Sequence, residues 1–64
     1  MPVITIQMHQ PTPSQKADLI RDLTSAAAAA TQMPPASFIV LIQELADENI
    51  GIGGRTRAEV MAAR

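Results

Sequence analysis

Ser37-Phe38-Ile39-Val40-Leu41-Ile42 is apolar at every position after the serine. An unbroken apolar run of this length reads as a strand buried on both faces, as in parallel sheets. Met33-Pro34-Pro35 stands just before it and ends whatever element precedes, because the residue before a proline is pushed out of the helical region. Upstream, Thr12-Pro13-Ser14-Gln15 reads as a helix start. Thr12 is a good N-cap, Pro13 fits the first helical position, and Gln15 completes a capping box. The helix is expected from Pro13 to Thr31. Leu19, Leu23, Ala26 and Ala30 share one face, joined by Ile20 and Ala27. Lys16, Asp18, Arg21, Asp22 and Ser25 lie mainly outside that stripe. The alanine run 26–30 adds helix propensity and lets the helix sit close on a sheet.

Further upstream, residues 3–8, Val-Ile-Thr-Ile-Gln-Met, alternate with period two. Ile4, Ile6 and Met8 fall on one face, and Val3, Thr5 and Gln7 on the other, which is a strand. His9-Gln10-Pro11-Thr12 reads as a loop. Strand, crossover helix and strand make a βαβ unit with a right-handed crossover as the default. One helix covers one face of a two-stranded sheet. The other face, carrying Phe38, Val40 and Ile42 or else Ile39 and Leu41, needs a cover the chain does not contain. Downstream, residues 46–55 are glycine-rich. Gly51, Gly53 and Gly54 permit positive φ angles and tight hairpins, and Ile50 and Ile52 alternate with glycine, which suggests a short β-ribbon reaching onto a neighbour. Thr56-Arg57-Ala58-Glu59 is a second capping box, heading a short helix toward Arg64.

Composition narrows the function. Sixty-four residues make a single domain, 1–64, and 47% are hydrophobic with Phe38 the lone aromatic. A domain this small needs a staple. With no cysteine and one histidine, neither a disulfide nor a typical zinc site is expected. Oligomerisation is the staple left. Five basic and six acidic residues give a formal charge of −1. No basic run or aromatic platform points to nucleic acid. No apolar stretch is long enough for a membrane span, and no signal peptide is evident. A cytoplasmic location is the default expectation.

Chemistry is expected at Pro2. A small second residue permits removal of the initiator methionine, which leaves a free secondary amine on Pro2. A chain-terminal amine has a reference pKa of about 8, and desolvation lowers it. Such an amine can be a neutral general base at cellular pH.

The whole pattern resembles the 4-oxalocrotonate tautomerase family over nearly the full length. The matching stretches are Pro2-Val3-Ile4, Ser14-Gln15-Lys16 leading to Leu19-Ile20-Arg21, Ser37, Glu44, and Gly51-Ile52-Gly53-Gly54. The resemblance implies an α/β fold, a single βαβ unit with a C-terminal β-hairpin, assembled into an oligomer with shared sheets. Family assemblies are homohexamers or heterohexamers, and a hexamer built as a trimer of dimers is expected here. The resemblance implies an isomerase needing no cofactor or metal, acting on a small-molecule enol or 2-oxo compound. Pro2 would be the catalytic base and acid, and Ser37 a substrate contact at the pocket edge.

The departures are as informative. Family members use two arginines and a phenylalanine to hold dicarboxylates. The loop arginine is missing from His9-Gln10-Pro11-Thr12, the strand-two arginine is Ile39, and the pocket phenylalanine is Ile50. Isoleucine cannot replace arginine's bidentate grip on a carboxylate. A mono-acid or neutral substrate in an apolar pocket is therefore expected, as in a divergent subgroup lacking these arginines. Burial against Ile39, Ile50 and Met8 would then lower the pKa of the amine. His9 sits in a loop placed to border the pocket of a neighbouring subunit, with a solvated loop histidine as the blander reading. Arg55 and Arg57 are candidate replacement cations if the hairpin folds over an adjacent site, although pairing with Asp47, Glu48 or Glu59 is the blander role. Two alternatives stand beside the enzyme: a non-catalytic or partner-dependent subunit of a mixed hexamer, and a binding module for apolar ligands.

Overall fold

The computed structural model describes residues 1–62, which follow the order strand, helix, strand, hairpin, helix. The first strand, β1, is Val3–His9, and the long helix, α1, is Pro13–Thr31. After a 3-10 turn at Pro35–Ser37 the second strand, β2, runs Ile39–Leu45. A second 3-10 turn, Asp47–Asn49, leads to a ribbon of β3, Gly51–Ile52, and β4, Arg55–Thr56. The last helix, α2, is Arg57–Ala62. The fold is thus α/β, a parallel βαβ unit followed by an antiparallel hairpin.

Helix α1 begins and ends where its caps dictate. The Thr12 hydroxyl accepts from the Gln15 N–H at 3.1 Å, and the Gln15 side chain accepts from the Thr12 N–H at 3.0 Å. The two bonds satisfy amides that the first turn would leave orphaned. At the other end Gln32 takes the left-handed conformation, φ 57°, and closes the helix without a glycine. The inward stripe differs from the sequence expectation. Leu19, Leu23, Thr24, Ala27 and Ala28 are half-buried, whereas Ile20, Ala26 and Ala30 are exposed. Lys16 also turns inward and pairs with Glu44 of β2 at 2.8 Å. The half-burial of Leu19, Leu23, Ala27 and Ala28 marks the face turned to the sheet, and the ion pair lies at its margin.

Strand β2 starts two residues later than expected and runs three residues further. Pro35 supplies a helical φ, so Pro35–Ser37 closes as a 3-10 turn with Ser37 and Phe38 donating to Pro34 and Pro35 carbonyls. His9 belongs to β1 rather than to a loop, because it pairs with Leu45 across the sheet. The parallel register runs from Val3 opposite Ile39 to His9 opposite Leu45. It puts Ile4, Ile6, Met8, Val40 and Ile42 under α1. Val3, Thr5, Ile39 and Leu41 fall on the bare face, where a Gln7–Gln43 side-chain hydrogen bond of 2.8 Å closes one end. The expectation of a strand buried on both faces is therefore not met within one chain: Leu41 is 51% exposed and Val3 55%. Among the described residues only Pro11 is buried, and none is fully so. A chain of this size lacks the material to close a core on both sides of a sheet.

The hairpin turn is Gly53-Gly54, with φ of 60° and 86°. Two positive φ angles in a two-residue loop match the twist of the flanking strands, and side chains resist them. Gly54→Val should therefore lower stability by about 1–2 kcal/mol. Thermal unfolding would show the loss, although a Cβ at Gly54 meets nothing within 4 Å. The cost is conformational and not steric crowding. Helix α2 starts on the expected box: Glu59 N–H donates to the Thr56 hydroxyl at 3.2 Å, and Thr56 N–H to the Glu59 carboxylate at 3.1 Å. Residues 63 and 64, the expected end of that helix, lie outside the described residues.

Candidate active site

Pro2 stands immediately before β1, and its carbonyl accepts the Ile39 N–H at 3.0 Å. That bond ties the chain start to the start of β2, so two strand origins meet at one end of the sheet. Ser37, half-buried at the close of the 3-10 turn, precedes Ile39 by two residues. Pro2, Ser37 and Ile39 are thereby gathered from distant sequence positions by the parallel register. Met1 extends from this cluster and is 86% exposed. Its removal sacrifices little packing and would bare the Pro2 nitrogen.

Met8, His9 and Ile50 do not join them within the chain. Met8 and His9 end β1, and six residues of strand at about 3.3 Å each set Met8 about 20 Å from Pro2. Ile50 follows the second 3-10 turn, and its carbonyl accepts the Arg57 N–H at 2.8 Å. Of the three residues expected to desolvate the amine, only Ile39 lies beside Pro2. A parallel strand pair separates its starts from its ends, and the linear order of Met8 and Ile50 does not reveal at which end each falls.

Two depressions mark the far end. A groove of about 450 Å³ runs beside β1 and α1, floored by Met8, Leu19 and Leu23 and rimmed by His9, Gln15, Asp18 and Asp22. A smaller cleft of about 240 Å³ is lined by His9, Gln10, Leu45, Ala46, Asp47 and Arg57. In it the Arg57 guanidinium donates to the Asp47 carboxylate at 2.8 Å. The sequence marked Arg57 and Asp47 as possible partners, but gave no sign that Gln10 and His9 face the same cleft. The signal, a register pairing His9 with Leu45, exists only in the sheet.

Local hydrogen bonds perturb two carboxylates. On the groove rim, Arg21 donates to Asp22 at 2.9 Å and holds its carboxyl below the ordinary value. The Thr56 backbone N–H, then its hydroxyl, lower the Glu59 carboxyl from its ordinary 4.5. A carboxyl with a lowered folded pKa stabilises the fold above its unfolded value, and that contribution is lost as pH falls through the folded value. Stability should accordingly fall below about pH 4.5 in part through the Thr56–Glu59 box. Glu59→Gln, followed by thermal unfolding between pH 3 and 7, should flatten that part of the profile. An unchanged slope would exclude the box as a contributor. Among the described residues no group of three or more His, Cys, Asp or Glu is placed to hold a metal ion. No described helix is long and apolar enough to cross a membrane.

A parallel βαβ unit headed by proline, with a diglycine hairpin after its second strand, defines a small class of α/β subunit. The sequence profile of the family described as "Tautomerase enzyme" matches residues 2–59, and this chain belongs to that family. Its fold is similar to that of an apo unfused 4-OT, at 32% identity and a TM-score of 0.88, with 92% of this chain and 98% of that one covered. It is also similar to TomN, a 4-oxalocrotonate tautomerase homologue in the tomaymycin biosynthetic pathway. That identity is 31% and the TM-score 0.90, with 95% of each chain covered. A heterohexamer 4-oxalocrotonate tautomerase from Chloroflexus aurantiacus J-10-fl is similar at 33% identity and a TM-score of 0.81, covering 94% of this chain and 97% of that one. No curated protein matches the chain. Membership supports a tautomerase-type isomerase.

Proposed function

We propose that the chain is a cofactor-independent tautomerase whose Pro2, freed of Met1, moves a proton between oxygen and carbon of a small enol or 2-oxo acid. The observation that carries this reading is the Pro2 position, tied by Ile39 at the joint start of both strands in a member of the tautomerase family. The neutral secondary amine takes the enol O–H proton. The C–O bond becomes C=O, the alkene electrons form the new C–H bond, and the amine returns the proton there. Nothing is oxidised or reduced. Ser37 offers a hydroxyl at the same end of the sheet, and Ile39 supplies an apolar side chain beside Pro2. Without an arginine at position 39, a mono-acid fits better than a dicarboxylate.

The bare sheet face supports an oligomer, for which we propose a hexamer built from dimers. Ketonisation of phenylenolpyruvate or a simple 2-hydroxydienoate, followed by ultraviolet absorbance, tests the reading. Intact mass must confirm that Met1 is absent. A processed, assembled chain that converts none of these substrates would refute it.

A second reading has its own support. The C. aurantiacus relative is a heterohexamer, and this chain lacks the arginines its family uses. A partner-dependent subunit would be inactive alone and active once mixed with an arginine-bearing chain.

A further inference from the structure

Resting on the Pro2 reading, we infer that Phe38 is a positioning residue for the amine: level with Pro2 at the start of the sheet, it shields the Pro2 nitrogen from water and so keeps it neutral. The placement follows from the register. Val3 lies opposite Ile39, and the Ile39 N–H donates to the Pro2 carbonyl at 3.0 Å. One step back along both strands, Pro2 and Phe38 fall level, with backbones about 5 Å apart. Phe38 keeps an extended backbone, φ −97° and ψ 144°, so the alternation of the strand carries through it. Ile39 is on the bare face, and Phe38 belongs with Val40 and Ile42 on the face under α1. Phe38 is half-buried, as is Pro2. Its N–H donates to the Pro35 carbonyl at 3.1 Å. The backbone on both sides of the Phe38 side chain is therefore pinned before any substrate arrives.

This end of the sheet carries no charge of its own. Residues 1–8 and 23–43 contain no Asp, Glu, Lys, Arg or His. Those two stretches are β1 as far as Met8, the second half of α1, the turn at Pro35–Ser37 and β2 as far as Gln43. The nearest ionisable side chains on the same elements are His9, Asp22 and Glu44. His9 and Glu44 stand about 20 Å or more along their strands from Pro2 and Phe38. Asp22 is about 13 Å up the helix from Thr31. All lie beyond the screening length of about 8 Å in physiological salt. Arg57 is held by Asp47 at the far end, and Arg55 reaches the Glu59 carbonyl beside it.

Of the three causes that move an amine's pKa, the described residues of this chain leave desolvation as the one at work on Pro2. Ile39 supplies little of it, being 38% exposed on the bare face. Phe38 is the lone aromatic of the chain and the largest apolar side chain at this end of the sheet. Excluding water disfavours the charged form of an amine and lowers its pKa. A terminal amine at its ordinary pKa of about 8 is roughly one-tenth neutral at pH 7, whereas at about 7 it is half neutral, a gain of about fivefold in base. Phe38 thus makes Pro2 a better base without touching the substrate.

Two measurements on the processed, assembled chain test this. The first is a titration of the Pro2 nitrogen by nitrogen-15 NMR, which needs no turnover. The second is the pH profile of kcat/KM for phenylenolpyruvate. Phe38→Ala should raise the midpoint of both by about one pH unit, and Phe38→Leu by less. At pH 7 the Phe38→Ala rate should fall about fivefold, and above pH 9 it should approach the wild-type rate, because both amines are then neutral. Ile42→Ala makes a comparable cavity on the same sheet face, four residues away, and should leave the midpoint in place. A side chain with only a structural role would lower the rate equally at every pH. Unmoved midpoints in both Phe38 variants would overturn the inference. If Phe38→Ala fails to assemble, the smaller shift of Phe38→Leu decides the matter. A chain with a blocked Pro2 that remains fully active overturns the Pro2 reading instead, while the NMR midpoint still reports on Phe38, so the two failures are distinct.

Discussion

A chain whose Pro2 is blocked by a non-cleavable extension should ketonise enol acids about 100- to 10,000-fold more slowly than the chain that begins at Pro2, the usual contribution of one positioned acid–base group. The extension changes the nitrogen from a basic amine to an amide and leaves the ring, the strand and the Ile39–Pro2 hydrogen bond in place. Met1 is already accommodated at that position with little contact, so folding should be unaffected. Pro2→Ala should also slow the reaction, but less completely, since a primary amine remains on a more mobile residue. Far-ultraviolet circular dichroism and assembly size, measured on the same samples, separate a lost amine from a lost fold. Equal rates for blocked and free chains would remove Pro2 from the mechanism and leave family membership as the sole support for isomerase activity.

The second large effect concerns the bare sheet face. Leu41→Asp should reduce the assembly to smaller species and lower the melting temperature in a concentration-dependent way. Leu41 is half-exposed in the single chain, and Val3 and Ile39 flank it on the paired strands. Completing the burial of each such side chain in an interface stabilises by about 1 kcal/mol, roughly half the value for a fully exposed residue. An aspartate there must instead be desolvated or protonated, at several kcal/mol. Since about 1.4 kcal/mol is tenfold, association should weaken by at least about 100-fold. Light scattering after size-exclusion chromatography at several concentrations measures it. An unchanged mass would mean that the sheet face is covered in some other way.

The two effects lie on different links of one chain of causes. In the proposed mechanism Pro2 acts through the chemistry of one nitrogen, and Leu41 through the proposed assembly. A Leu41→Asp chain should therefore lose activity as it dissociates. Raising protein concentration should restore part of that activity, as mass action requires.

Much of this was legible along the sequence because it is local. The Thr12 to Gln15 box, the helix to Thr31, the alternation in β1 and the diglycine turn each depend on residues a few positions apart. Those residues meet through backbone geometry alone. The apolar run around Val40 identified a parallel partner strand, although Pro35 delayed its start and pairing with Gln7, Met8 and His9 prolonged it. The expectation of a partner subunit also came from counting apolar faces against one helix.

What the tertiary structure decided is where things meet. A two-residue period states that Ile39 and Leu41 share a face, but not which face α1 covers; the packing of Leu19, Leu23 and Ala27 and the register with β1 settled that. Pro2, Ser37 and Ile39 became neighbours only because the strands are parallel and in register. The same geometry carried Met8, His9, Ile50 and Arg57 to the opposite end. Distances along a strand are fixed by the backbone, whereas the choice between strand ends depends on how the chain returns, and no local pattern encodes the return.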